Sequence, residues 1–107
     1  NVINNLTILN PNKLLEHVSS GIDQLQQLMD CKFKNQTCFG LYVHICCLIE
    51  RLVTKQAITA FADENFEKNH NDFIILLRKS MKSVEDFYNV QIPVEEIEYI
   101  YEYIKND

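Results

Sequence analysis

Glycine and proline are scarce in this sequence, with two of each among 107 residues, and tryptophan is absent. Tight turns between neighbouring strands depend on glycine, and no segment alternates apolar and polar residues over a useful length. These two absences exclude a protein built from β-hairpins. The apolar residues instead recur at steps of three and four, which is typical of amphipathic helices. The sequence therefore predicts an all-α fold in a single domain, with about four longer helices and one short helix.

A surplus of positive charge is also lacking, because 10 Lys and Arg face 15 Asp and Glu, for a net charge of -5. Without a long basic run, we do not expect this domain to bind nucleic acid itself. No apolar run reaches the roughly 20 residues that span a bilayer, and no signal peptide is visible. Because the first residue is Asn rather than Met, we expect a piece of a longer protein, with residues 1–10 as a linker and 11–107 as the domain.

No metal or redox motif joins the four cysteines, Cys31, Cys38, Cys46 and Cys47. Cys46 and Cys47 are neighbours in an apolar helix and point about 100° apart, so they do not easily serve one metal ion. Our interpretation is reduced thiols in a cytoplasmic protein. Two Asn-x-Thr triplets, at residues 5–7 and 35–37, match the N-glycosylation pattern. They leave open a secreted helical signalling protein, which would contain disulfides.

Five helical segments follow from the spacing of the apolar residues and from capping signals. Asn10-Pro11 is a helix start, with Asn10 as the cap, and Gly21 within this first helix permits a close crossing with another helix. Asp72 is the predicted cap of the fourth segment, and Pro93 opens the last. The predicted helices cover residues 11–30, 38–55, about 58–66, 72–88 and 93–104, with polar connectors at 31–37 and 67–71.

The central helix carries the polar residues of greatest interest. At about 100° per residue, His44 and Arg51 lie two turns apart on one line, and Lys55 continues that line one turn later. A phosphate on an imidazole adds about two negative charges, and an arginine fork nearby supplies charge-assisted hydrogen bonds to it. His44 is therefore either a packing residue or a group that receives something negative.

The remaining polar and titratable residues predict no site. The sequence has no Gly-rich phosphate loop, no G-x-S-x-G turn and no HExxH motif, so we do not expect an enzyme. His17 and His70 are interpreted as solvated surface residues. The last helix is interpreted as a solvated acidic face, made by Glu95, Glu96, Glu98 and Glu102. Packing is the expected role of its three tyrosines, Tyr99, Tyr101 and Tyr103.

The string His44-Ile45-Cys46-Cys47-Leu48-Ile49-Glu50-Arg51-Leu52-Val53 resembles the signature helix of PTS regulation domains. These are histidine-containing modules of bacterial transcription antiterminators and activators, with a His at the head of an apolar helix and an Arg seven residues later. The version here looks closest to activators of the sigma-54-dependent, levanase-operon type. Leu9-Asn10-Pro11 is similar to the linker ahead of such domains, and Ile92-Pro93-Val94-Glu95-Glu96-Ile97-Glu98-Tyr99-Ile100 to their last helix.

The resemblance implies a five-helix bundle that dimerises and needs no cofactor. It implies that HPr or an enzyme II component, such as enzyme IIB, phosphorylates His44 and thereby switches attached domains, through which alone DNA is contacted. Arg51 and Lys55 would stabilise the phosphate. Many family members carry a second histidine where this sequence has Tyr103, so Tyr103 marks a degenerate second site. That difference leaves open a dimerisation module without phosphorylation.

Overall fold

The computed structural model describes residues 10–56 and 63–107. Within these ranges the chain forms six α-helices and no strand, which confirms the predicted all-α fold. The predicted linker lies outside the described residues except for Asn10. In chain order the helices are α1 (Pro11–Met29), α2 (Asn35–Val53), α3 (Glu64–Asn69), α4 (Asn71–Ser80), α5 (Lys82–Tyr88) and α6 (Val94–Lys105).

Helix α1 begins and ends as predicted. The Asn10 side-chain oxygen accepts hydrogen bonds from the backbone N–H groups of Asn12 and Lys13, at 3.0 and 3.3 Å, and Pro11 occupies the first helical position. These bonds satisfy donors that have no partner inside the helix. The helix ends at Asp30, whose backbone is left-handed with φ of 54°. Asp tolerates this conformation better than most residues, which explains the sharp end.

Helix α2 begins three residues earlier than predicted, because its N-terminus is capped from the far end of the sequence. Asp107 Oδ1 accepts hydrogen bonds from the Lys34 backbone N–H, at 3.1 Å, and from the Thr37 hydroxyl. No residue next to the helix start provides a side-chain cap. The predicted connector over residues 31–37 is therefore too long, since Asn35 and its neighbours are already helical.

The Asp107 cap predicts a measurable dependence of stability on pH. Its hydrogen bonds, first from Thr37 and then from Lys34, hold the pKa of this carboxyl below its ordinary value of 3.8. The stabilisation is thus fully present above pH 3.8 and is lost as the pH falls through the lower pKa of the folded state. We expect Asp107→Asn to lower the melting temperature at pH 7, and this difference from the natural chain to shrink towards pH 3. Asp23→Asn, at an exposed position of α1, is the control and should show no such convergence.

Helix α2 ends at Val53, two residues before the predicted end. The Thr54 hydroxyl donates to the Glu50 carbonyl at 2.9 Å, and Lys55 follows with a left-handed backbone, at φ of 59°. The prediction that Lys55 continues the helical line of His44 and Arg51 is therefore wrong, because the chain has already left the helix there. Lys55 is exposed.

The segment around α3 differs from the prediction in two ways. Residues 57–62 lie outside the described residues, so only the end of the predicted 58–66 helix can be compared. The Asp63 side chain caps α3 by accepting the Asn65 N–H at 2.9 Å, and the helix runs through most of the predicted polar loop at 67–71. That polarity belongs to an exposed helix surface, with Phe66 as its one buried residue. Asp72 is likewise not the cap of α4, since it already lies inside that helix.

The predicted helix over residues 72–88 is divided at Met81, which is why the described residues form six helices although five were predicted. Backbone hydrogen bonds continue across the division, from Met81 N to Leu77 O and from Glu85 N to Met81 O. The Ser80 hydroxyl also donates to the Leu77 carbonyl, at 2.9 Å. Side-chain bonds of this kind bend helices, so α4 and α5 form one helix with a bend.

The bend lies against Gly21 of α1. A Cβ atom at Gly21 would be 2.8 Å from Met81 Sδ and 3.2 Å from the Ser80 carbonyl oxygen. This close approach confirms the predicted role of Gly21 in a helix crossing. Because Met81 is fully buried, its sulfur cannot move aside into solvent.

An ion pair fixes the connection between α5 and α6. Arg78 Nη1 donates to the Ile92 carbonyl at 2.7 Å and to Glu85 Oε2 at 3.1 Å, and the same Glu85 oxygen accepts the Ile92 N–H at 2.7 Å. These bonds set the start of α6, for which Pro93 is the N-cap residue.

Helix α2 lies at the centre of the core. Its buried residues pack with those of α1 and α6, and they include Leu41, Ile45, Cys46, Leu48 and Ile49. Among the described residues α2 is also the one helix long and apolar enough to cross a membrane by length and hydropathy. The core helix of a soluble protein meets the same criterion. Here the N-terminus of α2 is capped by Asp107, and its middle is bonded to α6 through His44 and Glu96.

Candidate functional site

His44 projects from α2 towards the first turn of α6. Its Nε2 atom lies 2.9 Å from Glu96 Oε1, and its side chain is 24% exposed. The residue that follows it, Ile45, is fully buried, so the helix backbone beneath the imidazole is fixed by the core. His44 is thus a half-buried residue at the edge of the core, with one nitrogen held by a carboxylate.

Glu96 is the residue that the sequence analysis missed. Its side chain is only 9% exposed, so the interpretation of the whole acidic last helix as a solvated face is wrong at this position. A signal was available, because Glu96 is four residues before Ile100 and eight before Ile104, both of which are buried. That spacing places it on the apolar stripe of α6 rather than on the acidic face.

Arg51, two turns after His44 on α2, approaches the same carboxylate. Its Nη2 atom is 3.9 Å from Glu96 Oε2, while its side chain is 40% exposed. The predicted alignment of His44 and Arg51 is confirmed, since each contacts a different oxygen of Glu96. Arg51 Nε is buried and has no hydrogen-bond partner among the described residues. Lys55 makes no ion pair within 4.0 Å in this part of the chain, and its role at a phosphate stays a prediction.

Tyr99 covers one face of the imidazole. The two ring centroids are 4.3 Å apart and the ring planes differ by 21°, which is a stacked arrangement. Tyr99 follows Glu96 by three residues on α6, so both side chains reach the same histidine from one helix face. The imidazole is therefore held at its edge by Glu96 and on its face by Tyr99.

A cavity of about 500 Å³ opens beside the imidazole. Its lining is mostly apolar and comprises Phe39, Gly40, Leu41, Val43, His44, Cys47, Tyr99 and Tyr103. Tyr103, which is predicted to mark a degenerate second site, thus lines the same cavity as His44. Its hydroxyl lies so close to Gly40 that a Cβ atom there would collide with it. Because Gly40 has no side chain, the Tyr103 ring can lie against it and line the cavity.

The cysteines have different surroundings, as their adjacent positions predict. Burial, and then the neighbouring Cys47, raise the pKa of the Cys46 thiol from 9.0 to about 12. Cys47 instead lines the cavity beside His44. All four cysteines are free thiols in the structure, and none forms a disulfide.

The other two histidines are not solvated surface residues, so that interpretation is wrong. The His17 ring centroid is 4.3 Å from that of Phe87, and the His70 ring centroid is 4.3 Å from that of Tyr101. Both imidazoles are half-buried in aromatic clusters, which the polar sequence around them concealed. Neither lines the cavity of His44. No group of three His, Cys, Asp or Glu within the described ranges could hold a metal ion.

Comparison with known proteins gives one family and one relative. Residues 19–107 match the family model described as the PRD domain. The transcriptional regulatory protein DagR of Salmonella typhimurium (strain 14028s / SGSC 2262) is 25% identical over 101 residues. The match covers 94% of this chain but 11% of that protein, so the chain spans only a small part of its relative. No solved structure matches. Since the family match covers well over half of the sequence and includes His44, Arg51 and Glu96, the chain belongs to the PRD domain family, as its resemblance to PTS regulation domains predicted.

Proposed function

We propose that this chain is the regulatory domain of a bacterial transcriptional regulator and that the sugar phosphotransferase system phosphorylates it on His44. HPr or an enzyme II component would donate the phosphoryl group, in the cytoplasm. The family match and the similarity to a transcriptional regulatory protein of Salmonella support the regulatory role. In this role the domain is a substrate of the phosphotransferase rather than an enzyme, and it acts on domains attached to it.

The observation that carries the proposal is the position of the His44 imidazole at the edge of an open cavity, between Glu96 and Arg51. In the unmodified state, the carboxylate and the guanidinium balance one another and the imidazole is bonded to the carboxylate. A phosphoryl group would add about two negative charges next to Glu96. It would repel the carboxylate and attract the guanidinium, so the contact between α2 and α6 would have to rearrange.

Phosphoryl transfer to His44 can be tested directly. The protein would be incubated with phosphoenolpyruvate, enzyme I, HPr and enzyme II components, and its acid-labile phosphate measured. We expect His44→Gln to reduce incorporation at least tenfold, because glutamine can bond to Glu96 but forms no phosphoramidate of this kind. His17→Gln is the matched control, since it removes another half-buried imidazole, on α1, and should incorporate phosphate normally. Equal incorporation in His44→Gln and His17→Gln would refute the proposal.

A dimerisation module without phosphorylation is the second candidate. It is favoured by the exposed aromatic residues around the cavity, since Phe39, Tyr99 and Tyr103 all present large apolar surface. A tyrosine at position 103 instead of a second histidine agrees with it. This reading predicts a dimer by sedimentation at micromolar concentration, and an attached regulator whose activity is unchanged by His44→Gln.

A further inference from the structure

We propose that the phosphoryl group is attached to Nδ1 of His44, and that Glu96 is the positioning residue that directs it there. The inference rests on the proposed function and specifies its chemistry. It follows from the geometry of the imidazole, whose two nitrogens lie in different surroundings.

The Nε2 nitrogen is occupied by Glu96. Its distance of 2.9 Å to Glu96 Oε1 is that of a hydrogen bond. An ionised carboxylate can only accept, so the proton of this bond belongs to Nε2. In the neutral imidazole the second nitrogen, Nδ1, then carries the lone pair and is the nucleophile. Arg51 Nη2 lies 3.9 Å from the other oxygen of Glu96 and places a positive charge beside the carboxylate that fixes this tautomer.

The Nδ1 nitrogen is open. It makes no hydrogen bond to the described residues, and Arg51 Nε is the one buried side-chain nitrogen or oxygen in them that lacks a partner. Nδ1 is therefore in contact with solvent. Turning the ring about its Cβ–Cγ bond would place the carbon Cε1, not Nδ1, opposite Glu96, so the hydrogen bond selects one orientation of the ring. Tyr99 is stacked on one face of the ring in this orientation, at 4.3 Å.

Attack through Nε2 would face two costs. The Glu96 carboxylate would have to leave its hydrogen bond, although its side chain is only 9% exposed. A phosphoryl dianion on Nε2 would then stand within about one hydrogen-bond length of that carboxylate, where like charges repel strongly. Attack through Nδ1 keeps the existing bond during the transfer and places the phosphate on the other side of the ring. The rearrangement of the contact with Glu96 then follows the transfer and is not needed for it.

The transfer balances without any further reactant. The Nδ1 lone pair attacks phosphorus in a protein phosphohistidine donor, and the new N–P bond forms as the donor N–P bond breaks. The electron pair of the broken bond remains on the donor imidazole. The His44 ring becomes a phosphorylated imidazolium with its proton on Nε2, where the Glu96 carboxylate neutralises the positive charge or accepts the proton.

Nuclear magnetic resonance of protein labelled with ¹⁵N in histidine identifies the isomer, since the two phosphohistidines differ in the shifts and couplings of their ring nitrogens. We expect the Nδ1 isomer at His44 after incubation with the phosphotransferase components. Phosphate on Nε2 would overturn this inference and leave the proposed function intact. Absence of phosphate from His44 would overturn both.

Glu96→Gln tests the positioning role. An amide can donate to Nε2 as well as accept from it, so the tautomer is no longer fixed. We expect an initial transfer rate at least tenfold lower and a mixture of the two isomers. The matched control is Glu95→Gln, which removes a charge from the same first turn of α6 but not the contact with His44, and should remain within twofold. A pure Nδ1 product formed by Glu96→Gln at the natural rate would contradict the role of Glu96, and equal thermal melts of the two variants exclude unfolding as the cause.

Discussion

Valine at position 21 is expected to destabilise the protein by about 2–3 kcal/mol, through overpacking at the crossing of α1 with the bend of α4 and α5. A Cβ atom there would lie 2.8 Å from Met81 Sδ and 3.0 Å from Met81 Cε. The Ser80 carbonyl oxygen, at 3.2 Å, belongs to the backbone and cannot rotate away. Two further methyl groups on valine enlarge the conflict. The higher helix propensity of a residue other than glycine, worth less than about 1 kcal/mol, offsets only part of it.

Thermal and urea unfolding measure the effect of Gly21→Val, with an expected fall in melting temperature on the order of 10 °C. Ser20→Val places the same β-branched side chain one residue earlier, at an exposed position of α1, and controls for propensity. If the two variants melt within 2–3 °C of each other, roughly the effect of half a kcal/mol, the crossing is not as close as described.

Glu85→Ala is the second substitution with a large expected effect. It removes the acceptor that Arg78 and the Ile92 N–H share, and both donors are partly buried. Removing one member of a partly buried ion pair leaves Arg78 without an opposite charge, although its hydrogen bond to the Ile92 carbonyl remains. We therefore expect a loss of about 2–3 kcal/mol in the free energy of unfolding. The Ile92 amide should also exchange its hydrogen faster, because it loses a bond of 2.7 Å.

Asp86→Ala is the matched control for this substitution. Asp86 pairs with Lys82 at 3.1 Å, one turn away on the same helix, and both side chains are exposed. Surface pairs of this kind contribute about 0–1 kcal/mol, so the control should be close to the natural chain. Removing Arg78 as well, in the double variant Arg78→Ala and Glu85→Ala, should recover part of the loss. Equal destabilisation by Glu85→Ala and Asp86→Ala would show that the shared acceptor contributes little.

Local sequence patterns predicted much of this fold, because they depend on residues close together in the chain. The Asn10-Pro11 start, the apolar spacing of α1 and the shared line of His44 and Arg51 are all set within a few turns of one helix. Gly21 was also recognised, since a glycine inside a helix is costly without a packing reason. The all-α class followed from the same periodicity.

The features that were missed depend on residues far apart in the sequence. Asp107 caps α2 across 70 residues, and Glu96 reaches His44 across 52. No local pattern indicates such partners, although the position of Glu96 on the apolar stripe of α6 was a usable sign. The bend at Met81 was missed because apolar spacing reports which face is buried and not whether the helix axis is straight.

The two ends of α6 are tied to α2 by chemically different bonds. Its first turn is held to α2 by Glu96, whereas Asp107, just beyond its last turn, is held by Thr37 and Lys34. Charge introduced at His44 acts on the first of these ties and leaves the second in place. Helix α6 would then rotate about its carboxyl end. Its 12 residues span about 18 Å, so the first turn would move furthest. A small separation of Glu96 from His44 would thereby tilt the whole helix.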